Sequence, residues 1–488
     1  MLTKIQKLIE ELNTNSVRYC HWKSNLSLSQ SLAGRTDIDL LIHRKDADSF
    51  RSAMSQLCFR PAIMQVGESF PSVEHYFALD KETGTLVHVH AYYRVITGES
   101  LSKNYHFPIE EMLLQNVREV NSIRVPTKSA ELVVFTLRMM LKHTSLVELF
   151  LLARERGAVQ REIQWLLESK SMEETLKLVE QWLPSLEVDL FSECVSALQL
   201  RAGLLRRIML SFRLRSRLGS YSRHSSIRAW LSGVTKFSIM VFRRLTRSQK
   251  GMIPQSGGAV IAFVGPEATG KSTLLAETNK WLGEHFDVDQ IHAGKPRSTW
   301  LTFIPNLLVP ALRSLLPAHR PSHIESSYVA SEQSREVYPL LFAIRSVLLA
   351  YDRRVLLTRA FARASNGSIL LSDRYPSLSY GAPDSPQLQN VAISRKRYPV
   401  RYLLARIEKR LYQQIPPPDL VVSLKAPVEV ALLRNKTRGK EEPEDYVRRR
   451  HAQSSNLDFG NAPVCEIATN QPLDKTVLEL KNAIWDAL

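Results

Sequence analysis

Eight consecutive residues, Gly265, Pro266, Glu267, Ala268, Thr269, Gly270, Lys271 and Ser272, carry the most specific chemistry in this chain. They match G-x-x-x-x-G-K-[ST] in full, and Thr273 follows. A phosphate chain needs several backbone N–H groups aimed at it, and Gly265 and Gly270 permit so tight a path. A helix starting there adds its positive end. Lys271 can reach the β and γ phosphates, and the Ser272 hydroxyl can hold Mg²⁺. Near the start of the chain, Asp37 and Asp39 flank Ile38. On a strand, alternate residues share a face, so both carboxylates point the same way, as two-metal phosphoryl transfer requires. His88 and His90 alternate likewise in LVHVHAYY. Imidazoles suit Mn²⁺ or Zn²⁺ and are poor ligands for Mg²⁺.

The elements that position these groups follow from apolar periodicity. AVIAFV (259–264) reads as a buried strand entering the loop, and STLLAETNKWLGEHF (272–286) as the helix leaving it. SILLSDRY (368–375) and DLVVSLKA (419–426) read as further buried strands separated by helical patterns. Strand and helix in alternation predict an α/β fold over 258–488, a parallel sheet with helices on both faces. Near the N-terminus, IDLLI (38–42) reads as a strand and residues 46–57 as a helix. VEHYFAL and TLVHVHAYY around DKETG read as a β-hairpin. Together these suggest a small α+β domain over 1–125. Residues 126–200 are helical, with Leu132, Phe135 and Met139 at helical spacing. A linker over 201–257 leads to the second domain.

Composition bounds the class. A chain of 488 residues with 44% apolar and 23% charged residues is globular, neither disordered nor fibrous. At ~150 residues per domain it holds roughly three domains. Four scattered cysteines without C-x-x-C spacing exclude a zinc ribbon or a disulfide framework. No run approaches the ~18 apolar residues of a membrane span. The first residues form a polar amphipathic pattern without a signal-peptide core. The expected location is the cytoplasm. Lys and Arg number 65 against 48 Asp and Glu, a formal charge of +17, and the excess is local. Residues 201–250 hold thirteen Lys and Arg and no acidic residue. Arg interleaved with Leu, Ile, Met and Phe suits an inter-domain helix packed on its apolar side, an anionic membrane surface or, less so, nucleic acid.

Several motifs around the loop together resemble thymidylate kinases. Glu267 stands two positions after the first glycine. LLAYDRR (348–354) resembles the family's helix ending in Asp or Asn followed by Arg, with Arg353 in the matching place. A strand runs into Asp373, Arg374 and Tyr375. PPPDLVVSLKAPVEVALLRNKTRG places Arg434 and Arg438 in the positions of an arginine-rich lid. The resemblance covers roughly 258–488 and implies a P-loop kinase that uses ATP and Mg²⁺. By it, Lys271, Asp373, Arg374, Arg434 and Arg438 are catalytic, and Gly265 through Thr273 bind the nucleotide. Glu267, Arg353, Arg374 and Tyr375 bind the acceptor, and Ser272 and Asp373 serve the metal. A GTPase reading fails, because Asn435-Lys436 is followed by Thr437-Arg438 where N-K-x-D is needed. The family's R-E-P-G stretch is replaced by IHAGKPRSTW (291–300), where Lys295 and Arg297 offer charge, and a proline-broken apolar insertion follows over 301–321. The acceptor is therefore a nucleoside monophosphate or another small molecule, with dTMP disfavoured.

WKSNLSLSQSLAGRTDIDLLI (22–42) resembles the polymerase-β-type nucleotidyltransferase pattern, with Ser24 ahead of Asp37 and Asp39. Lys23 stands where that family has glycine, and His88 and His90 stand where it carries a third carboxylate. Asp37, Asp39 and His90 are the implied metal ligands. The domain is then either a transferase of altered metal preference, acting on a sugar or a protein, or a degenerate binding domain. A non-catalytic, regulatory ATP-binding protein is the remaining alternative for the whole chain. The expected partners are a small-molecule acceptor, a second copy of the chain, and an anionic membrane touched peripherally through 201–250.

Overall fold

The computed structural model describes residues 1–64, 72–99, 103–142, 146–168, 171–199, 204–246, 251–304, 340–388, 398–437, 442–454 and 457–488. They form two compact units, Met1–Gln255 and Ser256–Leu488.

The first unit is built on strands β1 (Tyr19–His21), β2 (Ile38–Ile42), β3 (Arg60–Ile63), β4 (Val73–Asp80) and β5 (Thr85–Tyr92). Small ribbons pair β6 (Val95–Thr97) with β7 (Tyr105–Phe107), and β8 (Val117–Val120) with β9 (Ile123–Pro126). The main sheet has the order β1-β2-β5-β4-β3-β10, where β10 is Ile253–Pro254. Only β2 and β5 run parallel, with Asp39 opposite His90. The alternation of IDLLI sorts its side chains between two cores. Ile38, Leu40 and Ile42 pack with Ile5, Leu8 and Phe50 of the helices Thr3–Thr14 and Ala47–Gln56. Leu41 joins Trp22, Phe107 and residues of the helix Lys128–Lys142 on the opposite face.

The stretch expected as a separate helical region shares that second core. Phe135, Val179, Phe191 and Leu214 belong to one apolar cluster with Trp22. The basic segment is also partly absorbed. Its first helix, Leu204–Arg217, buries Leu210 and Leu214. Its arginines meet acids of the same unit: Arg213 with Glu193, Arg215 with Glu99 and Arg217 with Glu187, at 2.8–2.9 Å. Its end, β10, closes the sheet against β3. The segment read as a linker to 257 thus belongs to the first unit through Gln255.

Among the described residues the second unit has five strands, β11 (Val260–Val264), β12 (Val288–His292), β13 (Ile369–Asp373), β14 (Leu420–Lys425) and β15 (Val464–Ala468). All pairings are parallel, in the order β12-β13-β11-β14-β15. Every residue of β11 is buried, which requires cover on both faces. Val260, Ala262 and Val264 pack with Leu357, Ala360 and Ala364 of the helix Leu340–Ser365. The helices Lys271–Gly283 and Leu473–Ala487 pack against each other and against the sheet. β11 is central, with β13 and β12 on one side and β14 and β15 on the other. The crevice beyond the carboxyl ends of β11 and β13 is therefore where such a sheet binds ligands.

Candidate functional site

The crevice is a cavity of about 440 Å³ at that edge. Its floor is the loop between β11 and the helix Lys271–Gly283. Gly265 has φ +148°, and a Cβ there would stand 2.6 Å from the Leu424 carbonyl oxygen of the neighbouring strand, so only glycine fits. Gly270, at φ +89°, turns the chain into the helix. Ala268 and Arg374 also hold left-handed backbone, at φ +62° and +70°. Non-glycine residues in such conformations gather where a structure over-determines them, often at ligand sites.

Lys271 starts the helix and folds back over the loop. Its Nζ donates to the carbonyl oxygens of Gly265 at 2.8 Å and Pro266 at 2.6 Å. Burial, opposed by Glu267, lowers its pKa to about 8. Ser272 and Asp373 line the same cavity. A hydroxyl and a carboxylate are hard oxygen donors, so these two residues fit a magnesium ion. His292, from the end of β12, places Nδ1 3.2 Å from Asp373 Oδ2.

A chain of charges runs across the cavity wall. Arg374 Nη2 is 3.1 Å from Glu267 Oε1, and its Nη1 is 3.2 Å from Asp384 Oδ2. Arg353, 4% exposed, donates to the other oxygen of Asp384 at 2.6 Å, to the Tyr412 hydroxyl at 2.7 Å and to the Ala293 carbonyl at 3.0 Å. Arg353 is therefore buried, and it reaches the crevice through Asp384. Lys295, from the stretch replacing R-E-P-G, also lines the cavity.

Other expected residues stand elsewhere. Tyr375 is 5% exposed, packs in the core beneath the sheet and donates its hydroxyl to the Pro416 carbonyl, so it is absent from the cavity lining. Arg434 is tied to Thr469, with Nη2 2.6 Å from its carbonyl oxygen, and also leaves the lining. Arg438 and residues 305–321 of the insertion lie outside the described residues. Among the described residues, the helix Glu444–Gln453 lies against the loop. Its Arg450 stands 3.7 Å from Glu267 Oε1, and its His451 Nε2 lies 3.1 Å from the Glu267 carbonyl oxygen. The run Arg448-Arg449-Arg450-His451 was visible in the sequence, but no spacing there tied it to the loop.

In the first unit, Asp37, Asp39, His88 and His90 do share a sheet face, and His75 of β4, unforeseen, joins them opposite His90. Lys23 lies 2.9 Å from Asp39 Oδ1 and 4.7 Å from the Tyr92 ring centre. Burial opposes the charge on Asp39, but Lys23 and His90 outweigh it and hold the carboxyl well below the usual range. Burial, then the neighbouring imidazoles, lower His75 to about 3, so its ring is neutral at pH 7.

No family model matches the chain. The uncharacterized ATP-binding protein YghR of Escherichia coli (strain K12) is 26% identical over 244 residues, 49% of this chain and 90% of that protein. The uncharacterized ATP-binding protein YghS of the same strain is 25% identical over 236 residues, 47% of this chain and 93% of that protein. Among solved structures, deoxyadenosine kinase from M. mycoides with bound dATP aligns with 46% of this chain and 98% of its own, at 15% identity and a TM-score of 0.27. No described helix is long and apolar enough to cross a membrane.

Proposed function

We propose that the second unit is an ATP-using phosphotransferase that passes a phosphoryl group to a small acceptor in the crevice. The carrying observation is the convergence of Lys271, Ser272, Asp373 and Arg374 on one cavity at the carboxyl edge of a parallel sheet. The similarity to two proteins described as ATP-binding supports the nucleotide. Positioning and fixed positive charge supply most of the rate in such transfers. The loop amides and Lys271 bind the phosphates, while Ser272 and Asp373 would hold Mg²⁺, which neutralises charge between phosphate oxygens. Arg374, fixed between Glu267 and Asp384, presents its guanidinium to the acceptor side. Arg450 and His451 close the loop side. The replaced R-E-P-G stretch and the Arg374–Asp384–Arg353 wall support an acceptor other than dTMP. A screen of small phosphorylated and hydroxylated acceptors with γ-labelled ATP tests this. Label transfer by the wild type and its loss in Lys271→Ala are expected. Efficient dTMP phosphorylation, at kcat/KM of about 10⁴ M⁻¹s⁻¹ or more, would refute the remodelled acceptor site.

A peripheral contact with anionic membrane remains our reading of the basic segment, centred on the helix Ser226–Thr246. Arg213, Arg215 and Arg217 of the preceding helix are paired with acids, although Met209 and Phe212 there are exposed, as are Leu231, Phe237 and Phe242 of this one.

A further inference from the structure

Three imidazoles in the first unit have no part in the phosphate chemistry of the second. The β4–β5 register sets His75 opposite His90 and Phe77 opposite His88, which puts all three rings on one sheet face. Each ring offers a nitrogen, and these lie within 4.8 Å of one another. His75 Nδ1 and His88 Nε2 are 3.3 Å apart. Two nitrogens held by one tetrahedral zinc ion, each about 2.0–2.1 Å from it, stand roughly 3.3 Å apart.

The far nitrogens of two rings are already held. His88 Nδ1 is 2.9 Å from Asp37 Oδ1, and His90 Nδ1 is 3.2 Å from Asp39 Oδ1. A carboxylate on one ring nitrogen keeps the hydrogen there and leaves the other nitrogen as a lone-pair donor. Metal-bound histidines are usually backed in this way. His90 Nε2 is the second sign. It is buried and makes no hydrogen bond, with Asp37 Oδ2 3.7 Å away. A hydrogen bond from His75 Nδ1 to His88 Nε2 would account for that one contact and leave His90 Nε2 unmet, which is costly in a buried position.

We propose that His75, His88 and His90 form a mononuclear site for a zinc-class divalent cation, with Asp37 and Asp39 orienting two of the rings. Three nitrogen donors select against magnesium and calcium, which take oxygen. A second dication beside Asp39 is opposed by the Lys23 ammonium, 2.9 Å from that carboxylate. Asp37 is 42% exposed, so the fourth position opens on its side. The site thus differs from the two-metal carboxylate centre that the sequence pattern implied.

The full-length chain, stripped with chelator, is titrated with Zn²⁺ alone by calorimetry, with Mg²⁺ in large excess, and with Co²⁺ by absorbance. One equivalent of zinc should bind despite the magnesium. Cobalt should give the intense visible bands of a tetrahedral site without a thiolate charge-transfer band, which separates the site from the cysteines. Asp37→Asn should weaken zinc about 10–100-fold, and His75→Gln and His90→Gln should weaken it further. Lys271→Ala should bind zinc as the wild type does, keeping this result separate from that of the phosphate loop. Circular dichroism reports whether each variant is folded. Should the histidine variants unfold, the wild-type stoichiometry, the cobalt spectrum and Asp37→Asn still decide. No stoichiometric zinc in the wild type, displacement by magnesium, or undiminished zinc affinity in a folded His75→Gln chain would overturn the proposal.

Discussion

Asp39 of β2 and Asp373 of β13 both belong to a parallel strand pair, yet they meet different company. Asp373 ends its strand at an open crevice beside a loop of backbone donors. Asp39 lies inside its strand, 15% exposed, clasped by Lys23 and His90. The second unit builds its site from contiguous backbone, with side chains added at strand ends. The first builds its site from side chains of three strands that meet only through pairing. A backbone-built site tolerates many neighbours, whereas a side-chain cluster depends on each member. Deletions in the two units should therefore fail differently.

The largest effect is expected where one member of a buried pair is removed. Arg353→Ala leaves Asp384 facing Arg374 alone and should cost about 3–5 kcal/mol, read from the denaturation midpoint of the transition that ATP shifts. Lys23→Ala should destabilise the first unit by less, because its pair is more exposed. An equal or larger loss there would reverse the contrast between the two clusters.

Next come the two arginines of the second unit. Arg374→Ala should lower label transfer about 10²–10³-fold, as loss of a preorganised donor does. Arg434→Ala, whose side chain is spent on Thr469, should change it less than tenfold. The reverse order would restore Arg434 to the crevice and remove Arg374 from it.

A pH effect follows from Lys271. Its pKa near 8 reflects burial, and bound phosphates favour the charged form. ATP affinity should be full below pH 8. Above that it should fall by up to tenfold per pH unit, until the raised pKa of the complex is passed. Isothermal titration between pH 7 and 10, with Lys271→Arg as a control that stays charged, measures this. An affinity flat across that range would contradict the role given to Lys271.

The smallest effect concerns the membrane. Each basic residue near an anionic surface contributes about 1 kcal/mol. Phe242→Ser should reduce sedimentation with anionic vesicles several-fold, and high salt should reduce it further. Binding to neutral vesicles of equal strength would remove the electrostatic part of this reading.

The phosphate loop was legible because its determinants are local. Two glycines, a lysine and a hydroxyl sit in one run, and the strand before and helix after are plain from periodicity. IDLLI was legible for the same reason, and it forms a strand at the residues expected. His75 was within reach but missed. The DKETG turn sets Asp80 opposite Thr85, and five steps outward from that pair bring His75 opposite His90. The cover over the loop was not legible. Arg450 meets Glu267 across 183 positions of chain, and only folding brings the two together. Nor did the pattern show that Tyr375 turns inward. A tyrosine after a strand can face either way, and here the Pro416 carbonyl and the core claim it. The basic helix Leu204–Arg217 looked unpaired in sequence because its acids, Glu99, Glu187 and Glu193, precede the segment.

The central claim is that the second unit binds ATP through its loop. Thermal unfolding of the full-length chain with and without Mg-ATP tests it most directly. At about 100 times its Kd, the nucleotide should stabilise one transition by about 2.7 kcal/mol in the wild type. Lys271→Ala should abolish that shift, and His90→Gln should leave it intact. An absent shift in the wild type, or one equally large in Lys271→Ala, would contradict the account.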